Sequence, residues 1–139
     1  MNGVQLPITG GCGCGEVRYE VTAPLGDAMY CHCTRCQRRS GGSTGAAAWV
    51  QPGAFRIVSG EQHLRRWSPP DGMVKVFCGE CGSGLWAVMP DDESRLAVRL
   101  GSVDGDPGVR PTVRIFVSDA AVWEAIPDDG LDRHDGFPQ

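Results

Sequence analysis

Lysine is almost missing from this chain. Lys75 is the single lysine among 13 basic residues, and 17 acidic residues leave a net charge of −4. Without a basic surplus, the broad cationic surface of a nucleic-acid binder is excluded, while a local arginine patch stays open. No apolar run approaches the roughly 18 residues that a membrane span needs, so no membrane partner is expected. The opening residues, Met1 to Gly11, carry neither a basic stretch nor an apolar block, so they do not read as a secretory leader and a cytoplasmic location is expected. Long helical periodicity is also missing. Twenty glycines and 10 prolines instead point to short elements joined by many turns.

What the chain has in excess is cysteine. Seven residues fall in three groups: Cys12 and Cys14; Cys31, Cys33 and Cys36; Cys78 and Cys81. A disulfide framework spreads its cysteines and uses an even count. Clustered cysteines in a reducing compartment read as metal ligands or catalytic groups.

Strand signals surround these groups. From Glu16 to Val21 the chain alternates, with Val17, Tyr19 and Val21 on one face and Glu16, Arg18 and Glu20 on the other. Similar short signals occur at 28–31, 46–50, 55–58, 74–78, 85–88, 96–100 and 113–117. Many short strands between turn residues predict a mainly β fold, a single small domain over residues 1–139 built of several short antiparallel sheets. Thr34 to Ser40 can form one helical turn. The core is expected over about residues 9–127, with 128–139 a loose, acidic tail.

In an extended strand residues i and i+2 point to one side, so Cys12 and Cys14 can reach one metal. Cys78-Gly79-Glu80-Cys81 places a CxxC pair at a strand end, with Gly79 and Gly82 available for the tight turn. Zinc takes four ligands, and thiolates suit it. Two zinc ions per chain would need eight ligands, and seven cysteines are present. Two pairs close one structural site; Cys31, Cys33 and Cys36 leave the other with a vacancy, the mark of a reactive site. The alternatives are a histidine closing the second site (His32, His63 or His134) or a different pairing of the groups. His32 lies between two ligands, so its ring is expected to point away. Arg35, Arg38 and Arg39 crowd the triad, where they could offset thiolate charge or bind a carboxylate. The four tryptophans read as core, with one a candidate for the pocket wall. Glu80 reads as a surface residue.

The segments GGCGCGEVRYEV, YCHCTRCQRRSGG, FCGECGSGLW and RPTVRIFVSDAAVWEAIPDD resemble the glutathione-dependent formaldehyde-activating enzyme domain, also called the centromere protein V domain. The resemblance runs from about Thr9 to Asp129. It implies a zinc-stapled, mainly β fold. It also implies a structural zinc on Cys12, Cys14, Cys78 and Cys81, and a second zinc, linked to activity, on Cys31, Cys33 and Cys36. Arg114 departs from the pattern, which often has histidine there. The namesake reaction joins glutathione and formaldehyde into S-hydroxymethylglutathione, carbon–sulfur lyase chemistry. The expected partners are thus a small thiol such as glutathione and an aldehyde. A non-catalytic zinc-binding interaction module is the competing expectation, and a thiol-redox or metal-buffering protein the third.

Overall fold

The computed structural model describes residues 4–138. Its strands are β1 (Ile8–Gly11), β2 (Arg18–Val21), β3 (Ala28–Cys31), β4 (Gly45–Val50), β5 (Phe55–Ser59), β6 (Leu64–Trp67), β7 (Val74–Cys78), β8 (Gly84–Met89), β9 (Asp92–Arg99), β10 (Val113–Ile115) and β11 (Asp132–Arg133). A helix, α1 (Thr34–Ser40), follows β3. The mainly β expectation is met. The strands form a three-stranded sheet in the order β1-β2-β5 and an eight-stranded sheet in the order β11-β10-β3-β4-β9-β8-β7-β6. Pairing is antiparallel except where β10 runs parallel to β3 and β11. Among the described residues no helix is long and apolar enough to cross a membrane.

The two sheets face each other across one core. The alternation in β2 buries Tyr19 and Val21 almost completely. Tyr19 and Phe55 of the small sheet meet Trp86 of the large one, with ring centroids 4.7 to 5.9 Å apart. Burying such a ring contributes about 2–3 kcal/mol from removal of apolar surface. The Tyr19 hydroxyl keeps a partner, Ser102 Oγ at 2.6 Å, as a buried phenol must. Burial pushes the Tyr19 phenol up to about 12.

Two features differ from the sequence expectation. The strands β1, β6 and β11 have no strong local signal; each lies at the edge of its sheet, where side chains are half solvated and the apolar pattern is weak. The tail from residue 128 onward is also not loose. β11 pairs with β10, Arg114 Nη2 donates to Asp129 Oδ2 at 2.8 Å, and Phe137 packs edge-on against Phe116 with centroids 5.0 Å apart. Composition marked this segment as turn-rich; backbone pairing and a buried guanidinium hold it.

The Asp129 carboxyl is held below its ordinary 3.8, first by the Arg114 hydrogen bond and then by the Leu131 N–H. A carboxyl lowered in the folded state contributes stability above its unfolded pKa and loses it as pH falls through the folded value. Asp129→Asn is therefore expected to lower the Tm at pH 7, by roughly 5–10 °C, because buried Arg114 loses its counter-charge. The difference from the parent should fade below about pH 4. Thermal melts at pH 7 and pH 3 measure both effects.

Candidate metal centres and the adjoining cavity

The seven cysteines gather into two groups, and in each the sulfurs lie within 4.8 Å of one another. The first joins Cys12 and Cys14, beyond the end of β1, to Cys78 and Cys81, at the end of β7. Cys12 Sγ is 3.6 Å from Cys14 Sγ, and Cys14 Sγ is 3.9 Å from Cys78 Sγ. A disulfide needs about 2.05 Å, so these are free thiols. Four sulfurs about 2.3 Å from a central zinc ion would stand about 3.8 Å apart, and the observed spacings bracket that edge. The donor set fits zinc.

Local backbone geometry explains why the chain can form this group. The Gly82 N–H donates to Cys78 O at 2.8 Å, closing the turn, with Gly82 at φ 81°, a conformation that favours glycine. Backbone N–H groups of Val17 and Glu80 point at Cys12 Sγ (3.2 Å) and Cys78 Sγ (3.4 Å), a polarity suited to thiolates. The Ser83 hydroxyl lies 3.3 Å from Cys81 Sγ and, with the Ser83 N–H, draws that thiol down to about 5.

The second group, Cys31, Cys33 and Cys36, spans the end of β3 and the first turn of α1. Cys33 is the helix N-cap, and its Sγ accepts from the Cys36 N–H at 3.3 Å. A cysteine thus takes the place usually held by Ser, Thr, Asp or Asn. Gln37 fastens the helix, donating from Nε2 to the carbonyls of His32 and Asp119, each at 2.8 Å. Contacts with the Cys31 and Cys33 thiols, and then Arg99, push the Cys36 thiol down; Cys31 is pushed up by its two neighbours and by burial. The group offers three sulfurs, with no histidine among them.

All three sulfur-bearing residues line a cavity of about 730 Å³. It is roofed by α1 and floored by the large sheet. The strand registers align Lys75 with Ala87, Ala87 with Ala97, and Ala97 with Trp49; beside them Arg99 aligns with Ala47, and Cys31 with Gly45. Because residues on one face alternate, this surface collects odd-numbered residues from five neighbouring strands. Alanine and glycine at its centre leave the space open. Trp49, Trp67, Phe116 and Phe137 form apolar walls.

Arg35, Arg38 and Arg39 all line this cavity, as the sequence suggested. Arg35 pairs with Asp71 at 3.0 Å and stacks over Trp67, with its guanidinium carbon 5.7 Å from the ring centroid. Arg39 lies over Phe77 at 5.6 Å. Two further cations, Lys75 and Arg99, were missed in the sequence. Arg99 is far from every cysteine in sequence, and Lys75, three residues before Cys78, neighbours the other cysteine group; sheet pairing brings both to the triad's cavity. Arg99 Nη1 stands 3.9 Å from Cys36 Sγ. Gly45 leaves it room in this position, since a Cβ there would lie 2.5 Å from Arg99 Nη1 and the guanidinium would have to shift. Burial, followed by Arg99, pushes both Lys75 and Arg39 down.

His32 points away from the triad. Its ring, only 3% exposed, meets Arg114 Nη1 at 3.2 Å. Burial and then Arg114 push the His32 imidazole down, which favours its neutral form as the acceptor. Arg114 also lies over the Tyr30 ring at 4.4 Å. Buried His32 and Arg114, half-buried Tyr30 and exposed Asp129 form a separate cluster away from the cavity. His63 lies 3.5 Å from Glu16, and Glu80 is exposed.

Comparison with known proteins agrees with this picture. Residues 7–119 match the family described as glutathione-dependent formaldehyde-activating enzyme. A protein of Halomonas elongata, provisionally named as a glutathione-dependent formaldehyde-activating enzyme, is 26% identical over 139 residues, covering 94% of this chain and 88% of that protein. A crystal structure of a Rhodobacter sphaeroides protein aligns with a TM-score of 0.58 at 27% identity, covering 70% of this chain and 89% of that one.

Proposed function

The chain belongs to the glutathione-dependent formaldehyde-activating enzyme family, and from that premise we propose that it is a zinc-dependent carbon–sulfur lyase-type enzyme joining a thiol such as glutathione to an aldehyde, and cleaving the adduct in reverse. The observation that carries this reading is the cavity: a group of three cysteine sulfurs opens onto about 730 Å³ of space bordered by five cationic side chains. Cys12, Cys14, Cys78 and Cys81 would hold a structural zinc, and Cys31, Cys33 and Cys36 a second one. Zinc bound by thiolates supplies Lewis acidity and lowers the pKa of a thiol or water brought to it.

The protein's own residues do the rest. Exposed Arg38 offers its guanidinium to a carboxylate of an anionic thiol, a bidentate match, and Arg35, held by Asp71, adds positive charge beside it. Trp49 and Trp67 cover its apolar parts and exclude water. Gln37 fixes α1, so Cys33 and Cys36 keep their spacing while substrate enters. The thiol proton must leave as the carbon–sulfur bond forms. The aldehyde oxygen can take it, so no separate basic residue is required.

Two measurements test this reading. Protein purified without chelator should contain two zinc ions per chain by elemental analysis. Cobalt-substituted protein titrated with glutathione should show a changed sulfur-to-metal absorption, whereas S-methylglutathione should bind at least about tenfold more weakly because a thioether is a poor anionic ligand. A glutathione–formaldehyde rate no faster than the uncatalysed reaction, together with an unchanged spectrum, would sink the proposal.

A further inference from the structure

The inner cavity holds more positive charge than a neutral aldehyde or the cysteine triad calls for. Arg39, Lys75 and Arg99 reach it from α1, β7 and β9. Among the described residues no carboxylate lies within ion-pairing distance of any of the three. Of the two carboxylates on the cavity wall, Asp71 is engaged by Arg35, and Asp119 forms no ion pair with any of the three. The Arg39 Nε is buried without a hydrogen-bond partner. Clustered, part-buried cations without counter-charge are unfavourable. A divalent ion on three thiolates carries one negative charge, and Arg99 already faces it across 3.9 Å at Cys36 Sγ. Arg39 and Lys75 remain to be neutralised.

We propose that Arg39, Lys75 and Arg99 form a carboxylate subsite beside the triad, and that the aldehyde used here carries its own carboxylate, as a 2-oxo acid of the glyoxylate type does. This rests on the thiol–aldehyde reading above. Position assigns the carboxylate to the aldehyde partner. In a 2-oxo acid the carboxylate is attached directly to the reacting carbon. When that carbon stands about 3–3.5 Å from the attacking sulfur, its carboxylate lies on the triad's side of the cavity, where Arg99 faces Cys36. The carboxylates of a glutathione-like thiol are many bonds from its sulfur and extend to exposed Arg38, with Arg35 beside it. Chemically the step balances without an oxidant. The thiol sulfur forms a bond to the carbonyl carbon, the carbonyl π pair moves to oxygen, and the thiol proton ends on that oxygen, giving a carboxylated hemithioacetal.

The test compares glyoxylate with acetaldehyde, in which a methyl group replaces the carboxylate. Calorimetric titration of the metal-replete protein, without thiol, should show glyoxylate binding at least tenfold more tightly than acetaldehyde. Lys75→Met should weaken glyoxylate binding about 10- to 100-fold, the range for losing one charged hydrogen bond, and Lys75→Arg should restore most of it. With glutathione present, the loss of kcat/KM in Lys75→Met should be larger for glyoxylate than for formaldehyde. Equal affinity for glyoxylate in the parent and Lys75→Met would overturn the proposal. So would a Lys75→Arg variant as weak as Lys75→Met, which would indicate an imine to the lysine amine. A Lys75→Met variant that weakens glutathione and spares glyoxylate would also overturn it, giving the cluster to the thiol. Charge-dependent glyoxylate binding without hemithioacetal formation from any thiol would uphold the subsite and remove the enzymatic reading instead.

Discussion

Cys81→Ser is expected to leave little folded protein at 37 °C, while Cys36→Ser stays folded and loses one metal ion. The contrast is informative because exposure predicts the reverse: Cys81 is exposed and Cys36 is buried. A serine at an exposed position costs almost nothing by packing. Its effect must then come from the lost ligand. The first group ties Cys12 and Cys14 to a strand end 64 residues away in sequence. An ion bound there would stabilise the ordering of that long loop, and structural zinc sites contribute about 10–16 kcal/mol of apparent binding energy. A domain of this size has only about 5–15 kcal/mol of net stability. The triad, by contrast, draws on Cys31, Cys33 and Cys36, which are close neighbours in sequence, and its strand and helix are also held by sheet pairing and by Gln37. Circular dichroism melts and elemental analysis of both variants measure the difference. Equal loss of fold in the two variants would show that the triad metal is structural as well. Adding a strong chelator to the parent protein should reproduce the Cys81→Ser phenotype.

Ala97→Leu is expected to lower kcat/KM for a thiol–aldehyde pair at least about 100-fold while leaving metal content and Tm nearly unchanged. Ala97 sits at the centre of the cavity floor, aligned between Ala87 and Trp49. Ala97 lines the cavity and is not among the side chains of the inter-sheet core, so three added carbon atoms would extend toward the cavity and not into that core. They would displace a substrate by more than 1 Å, and misplacement of that size costs about 10²-fold in rate. The next residue, Val98, points the other way into the core between the sheets, so the substitution leaves that packing untouched. Steady-state kinetics beside a melting curve reads both outcomes. A fall in Tm of more than a few degrees would mean that the floor is packed rather than open.

The cysteine pattern determined much of this by itself. Spacing of i+2 and i+3 is a local property, so the CxC and CxxC pairs can be read as ligand pairs before any fold is known. Strand alternation was equally local: Val17, Tyr19 and Val21 are buried as the period demanded. The arginines of α1 were visible because they sit within three residues of Cys36, a member of the triad itself. The tertiary structure decided what those pieces face. Lys75 and Arg99 enter the cavity because β7, β8, β9 and β4 pair in one register, and the pairing of distant segments is not written in either segment alone. Nothing in the sequence singles out Gly45 among the 20 glycines, yet it leaves the space that the Arg99 guanidinium occupies beside Cys36. The tail was the plainest divergence. Its composition is that of a loop, but Arg114, buried on β10, needs a carboxylate, and Asp129 is the one that supplies it. Local chemistry thus fixed which residues could bind a metal, and long-range strand register fixed what charge and space the metal would meet.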